Sequence, residues 1–98
     1  MKVEWSESAA ADLDAIRAYI ARDSEYFAAR FVQQVVKTTR MLRTFPELGQ
    51  VVPEFDQRIV RERVLQNYRI LYEVQERRVL IIAIVHAARD IGSLTFEL

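Results

Sequence analysis

The chain of 98 residues has no cysteine and only one histidine. The first absence removes disulfides, thiolate catalysis and cysteine-ligated zinc together, and is compatible with a reducing cytoplasm. The second removes any metal centre built from clustered imidazoles, so neither a metal nor another cofactor is expected. Long hydrophobic runs are missing too: the longest, Val79 to Val85, has seven residues, against about 20 for a membrane-spanning helix. Met1-Lys2-Val3-Glu4-Trp5 leads straight into polar residues, without the pattern of a signal peptide. The expectation is a cytoplasmic protein with no membrane partner. Internal repeats and low-complexity tracts are also absent.

With 51% apolar residues, two glycines and two prolines, the composition is that of an ordinary globular domain and not of a disordered chain. Its length suits one domain, since single cores usually take about 100 to 150 residues. Net charge is zero but unevenly spread. Residues 1 to 25 set Lys2, Arg17 and Arg22 against Glu4, Glu7, Asp12, Asp14, Asp23 and Glu25, whereas Arg30, Lys37, Arg40 and Arg43 lie in a stretch without acid. That stretch reads as a solvated helix face or as a surface for an acidic partner segment or nucleic acid. Twelve arginines stand against two lysines. Guanidinium presents a planar fork suited to phosphate or carboxylate, although genomic base composition explains such a bias equally well.

Val3 and Trp5 share one face of a short first strand, Lys2 to Trp5. Ser6 or Ser8 then caps a helix whose apolar stripe is Ala9, Leu13, Ile16 and Ile20, and which stops near Arg22. Ser24 caps a second helix with the stripe Ala28, Phe31, Val32, Val35, Thr39 and Leu42; Pro46 disfavours helical geometry at Phe45 and ends it by about Thr44. Residues 45 to 57, FPELGQVVPEFDQ, read as a loop. Three alternating segments follow: Arg58 to Leu65, Tyr68 to Gln75 and Arg78 to His86, joined by turns at Gln66-Asn67 and Glu76-Arg77. The last is apolar on both faces, as a doubly covered central strand is. The predicted class is α+β, in the order β-α-α-β-β-β, with an antiparallel helix hairpin packed on an antiparallel three-stranded meander.

The element order, together with Ala11-Asp12-Leu13, FPELGQVVPE, the Arg61-Glu62 pair, Tyr68-Arg69-Ile70-Leu71-Tyr72 and Val85-His86-Ala87-Ala88-Arg89, resembles the RelE/ParE superfamily of toxins from type II toxin–antitoxin modules, and the ParE-like branch more closely. The pattern spans nearly the whole chain. The resemblance implies a growth-inhibiting toxin, of the kind tied to plasmid stabilisation, neutralised by a cognate antitoxin in a hetero-oligomer. ParE-like members imply DNA gyrase as target; RelE-like members imply messenger RNA cleaved on the ribosome. A member that keeps the fold and the antitoxin but has lost toxicity is a third possibility.

Strand parity sorts the candidate site residues. Around a two-residue turn Leu65 faces Tyr68, Val64 faces Arg69 and Arg61 faces Tyr72, and opposed residues share a face. Arg61 and Arg63 then go with Tyr68, Ile70 and Tyr72, while Arg69 goes with Val60, Glu62 and Val64. Arg61, Arg63, Tyr68 and Tyr72 are candidates for binding a target or nucleic acid, and the tyrosines are equally candidates for packing under the helices. Arg69 and Glu62 form either a structural ion pair or part of a phosphate-handling site. In the ribonuclease reading His86 is the general acid or base, Glu62 a candidate base, and Arg69 or Arg89 stabilises developing charge. His86 shares parity with Leu80, Ile82 and Ile84 and is otherwise a structural hydrogen-bonding residue. The resemblance to RelE-like ribonucleases also implies a tyrosine close to the C-terminus, and none follows His86.

Overall fold

A computed structural model describes residues 1–55 and 59–89, in the order β1 (Lys2–Trp5), α1 (Glu7–Ala21), α2 (Glu25–Met41), β2 (Gln50–Val51), β3 (Val60–Leu65), β4 (Tyr68–Val74) and β5 (Arg78–His86). Arg58, expected to open the first strand of the meander, lies outside the described residues. Of the two candidate serines, Ser6 caps α1: its hydroxyl accepts the Ala9 N–H at 3.0 Å. Its own N–H donates to the Ile81 carbonyl at 3.0 Å, so one residue ends β1, starts α1 and is stitched to β5. Ser24 caps α2 by accepting the Phe27 N–H at 3.1 Å. α2 ends at Met41, a little before Thr44, because its last turn tightens: the Leu42 N–H bonds the Thr39 carbonyl and the Arg43 N–H the Arg40 carbonyl, both three residues back.

The sheet has the order β1-β5-β4-β3-β2 among the described residues, with β1 parallel to β5 and the other pairs antiparallel. The predicted meander is its centre, flanked by one strand on each side. Val64 pairs with Arg69, Leu65 with Tyr68 and Arg61 with Tyr72, as strand parity requires. At the turn Gln66, not Asn67, takes the positive φ of 55°, and its amide is tied to Gln34 of α2 at 3.0 Å.

A bulge decides the other hairpin. Leu71 pairs with Ala83 but Tyr72 pairs with Ile81, so Ile82 is the extra residue. Ile82 and Ala83 therefore both turn away from the helices, and alternation resumes in the opposite phase. His86, paired with Tyr68, shares the helix side with Ile84, Ile81 and Val79, whereas Leu80 and Ile82 pack on the far face. This corrects the grouping of His86 with Leu80 and Ile82 expected from unbroken alternation.

Two apolar layers result. Between helices and sheet lie Ala9, Phe31, Val35, Leu42, Ile70, Tyr72, Val79, Ile81 and Ile84, with Leu13, Ile16, Ile20 and Trp5 packed at the edge. On the far face Val60, Leu71, Leu80, Ile82, Ala83 and Val85 cluster with Val52 and Phe55. That second layer exists because the segment expected to be a plain loop folds back over the sheet. Gln50 pairs with Glu62 and Val51 with Arg61, and the Val52 N–H reaches the Val60 carbonyl at 2.8 Å. A two-residue edge strand carries no alternation that sequence could display.

Candidate functional site

Arg69 is the most engaged charge of the sheet. It projects from β4 on the far face, where its Nε and Nη2 both meet Oε2 of Glu62 and its Nη1 lies 3.4 Å from Oε2 of Glu54. Its side chain is 14% exposed and that of Glu62 17%. Burial works against the Arg69 charge, but the hydrogen bonds to Glu62 and Glu54 outweigh it and hold the guanidinium pKa above its ordinary value. The expected Arg69–Glu62 pairing is present, and Glu54 adds a second carboxylate. No spacing in the sequence marks Glu54; the fold-back through β2 brings it there.

On the helix side, Arg61, Arg63, Tyr68 and Tyr72 meet different fates. Tyr72 is fully buried; its hydroxyl donates to the Pro46 carbonyl and accepts the Gly49 N–H, both at 2.8 Å. It leaves a target no surface to touch, and burial raises its pKa above 10.0 even though the Gly49 N–H and the charges of Arg61 and Arg63 pull it down. Arg61 Nη1 donates to the carbonyls of Gly49 at 2.7 Å and Glu47 at 3.3 Å. These two side chains from β3 and β4 thus strap down Pro46 to Gly49. Arg63 is half-buried and its Nε has no hydrogen-bond partner among the described residues. Tyr68 is half-buried, set edge-to-face against Phe31 at 5.2 Å and His86 at 5.6 Å.

His86 ends β5 exposed, with Nδ1 accepting the Ala88 N–H at 3.2 Å. The Arg89 N–H donates to the His86 carbonyl at 3.0 Å; burial raises the pKa of Asp12 on α1, and the Ile84 N–H and the Arg89 charge only partly offset that rise. The structure therefore brings Glu62 together with Arg69 on one face and His86 together with Arg89 on the other. It does not bring the four together. Asp12, which the sequence marks only as part of Ala11-Asp12-Leu13, has a structural role: its Oδ2 accepts the Ile84 N–H at 3.0 Å, beyond the reach of β1, whose pairing with β5 stops at Ile81. An acid beside the apolar stripe of α1 is the only trace of that role in the sequence. Among the described residues no group of three His, Cys, Asp or Glu side chains is placed to hold a metal.

The family profile described as ParE toxin of type II toxin-antitoxin system, parDE, matches residues 3–91. The chain belongs to the ParE toxin family. It is 35% identical over 88 residues to Toxin RelE2 of Caulobacter vibrioides, covering 90% of this chain and 97% of that one. Its fold matches a solved chain described as the chromosomal ParDE TA system from P. aeruginosa, with a TM-score of 0.73, 27% identity, and coverage of 88% of this chain and 95% of that one. The segments that carry the resemblance, from Ala11-Asp12-Leu13 to His86-Ala87-Ala88-Arg89, acquire structural duties in this ParE-family chain. Asp12 closes the open edge of β5, and the Pro46 to Gly49 loop receives Tyr72 and Arg61.

Proposed function

We propose that this ParE-family toxin inhibits growth by binding a cellular target, DNA gyrase, and is held inactive in the cytoplasm by a cognate antitoxin that folds onto it. The separation of His86 and Arg89 from Glu62 and Arg69 carries the choice of binding over cleavage. General acid–base chemistry at a phosphodiester needs the proton-transfer group and the charge-stabilising group within hydrogen-bond reach of one substrate. Here a whole sheet lies between them, Arg69 is already neutralised by two carboxylates, and no tyrosine follows Tyr72 in the chain. Of the four candidates for target binding, Arg63 and Tyr68 keep free polar groups; Arg61 and Tyr72 are given to the loop.

For the antitoxin, α2 offers a groove of about 550 Å³ lined by Val32, Val36 and Met41 with Lys37 and Arg40 alongside. Apolar floor and basic rim suit an amphipathic acidic segment, and folding on binding lets such a segment wrap a large area. The decisive assay is gyrase supercoiling with the purified chain: inhibition that leaves ribosome-bound message intact is expected. A second reading, a ribosome-dependent endoribonuclease using Glu62, Arg69, His86 and Arg89, draws on the exposed imidazole of His86. Site-specific message cleavage that disappears in His86→Ala and Arg69→Ala would establish it and displace the first.

A further inference from the structure

At the end of the molecule where β5 finishes, a notch of about 490 Å³ opens between α1 and the β3–β4 turn, lined by Ala15, Ile16, Tyr19, Asn67, Tyr68 and His86. Its floor is apolar and its walls are rings. Tyr68 is set edge-to-face with Phe31 and with His86. Tyr19 lines the same notch and is 64% exposed. Most of this ring is left uncovered by the described residues. The polar groups at the rim are idle as well. The Asn67 carbonyl takes the Ala87 N–H at 2.7 Å, but its side-chain amide has no hydrogen bond, nor have the Tyr19 and Tyr68 hydroxyls, among the described residues. Because His86 Nδ1 accepts the Ala88 N–H, the neutral ring carries its proton on Nε2 and offers a donor there.

No lysine, arginine or carboxylate lines the notch. That excludes a ligand held by charge at this point and favours a planar, uncharged group with donors and acceptors on its edge. We propose that the notch binds an unpaired nucleobase, stacked against the rings of Tyr19 and Tyr68 and read at its edge by the Asn67 amide and His86. Bases extruded from single strands stack on aromatic side chains in this way, and an amide matches the paired donor and acceptor of a base edge. An aromatic side chain from a protein would use the rings but leave the amide unsatisfied. The site goes beyond the gyrase reading and stands or falls without it.

The test is fluorescence anisotropy of the purified full chain with labelled single-stranded pentanucleotides, one of DNA and one of RNA. Saturable binding of either is expected, weakened at least about fivefold by Tyr19→Ala, weakened by Asn67→Ala, and restored by Tyr19→Phe, which keeps the ring. Tyr19 and Asn67 are exposed, so circular dichroism should show all three variants folded. Absence of binding to both oligonucleotides would overturn the proposal. So would binding that Tyr19→Ala leaves unchanged, or a notch that takes N-acetyltyrosinamide, read from shifts of the His86 ring resonances, in preference to either oligonucleotide.

Discussion

The Tyr72 hydroxyl satisfies a carbonyl and an N–H of the same loop, so removing it strands the Pro46 carbonyl and the Gly49 N–H together. Tyr72→Phe is expected to lower the unfolding free energy by about 1–3 kcal/mol in urea titrations. Its pH signature is distinct. The folded pKa is raised by burial, so the stability this phenol contributes is intact below its ordinary value of 10.0 and is lost as pH rises through the raised value. Wild-type stability should therefore fall above about pH 10, and the fall should shrink in Tyr72→Phe. Asp12 presents the opposite balance. Burial raises its pKa above 3.8 despite the Ile84 N–H, so its contribution is full below that value and declines as pH rises through the folded pKa. At neutral pH the half-buried charge is a cost offset by the Ile84 N–H and, to a smaller extent, by the Arg89 charge. Asp12→Asn, which keeps an acceptor without the charge, should match or exceed wild type in urea midpoint at pH 7. Asp12→Ala should lose about 1–3 kcal/mol by leaving the Ile84 N–H bare.

Among the elements, β2 depends most on atoms outside itself. Its two residues pair with β3 only, and its position is set by Gly49, where an added Cβ would sit 2.5 Å from the Glu62 carbonyl oxygen and 2.7 Å from the Tyr72 hydroxyl. Neither neighbour is free to retreat, one being backbone of β3 and the other a buried ring. Gly49→Ala should thus cost about 1–3 kcal/mol through overpacking, measurable as a shift in the urea midpoint, and should loosen Glu54 from Arg69 because both ride on the same fold-back. The helices and the three long strands were legible in the sequence for a simple reason: each runs long enough to show its period, and capping serines mark the helix starts. β2 was not legible, and neither was the bulge at Ile82. In an apolar stretch such as Val79 to Val85 every residue suits either face, so a slip of one leaves no mark in the pattern.

The whole molecule is a sheet with a thick apolar layer under the helices and a thinner one beneath the fold-back. Hydrogen exchange should follow that asymmetry. Amides of β4 and β5, buried on both sides, are expected to exchange only through global unfolding, whereas Gln50 and Val51 on the edge should open locally at much lower free energy. Native-state exchange across a urea series tests this, and uniform protection from β2 to β5 would refute it. At this scale too lies the division of the candidate site. Parity already placed Arg69 with Glu62 and Arg61 with the tyrosines, because adjacent strands joined by a tight turn have one register and local spacing determines it. The sequence by itself determined the order of the helices and of every strand but β2, the family and those pairings. Only the tertiary structure decided that His86 turns to the helices, that Glu54 joins Arg69, and that Tyr72 and Arg61 are spent on a loop. Each of those depends on contacts between segments far apart in the chain, where a one-residue bulge or a two-residue strand changes which side chains meet.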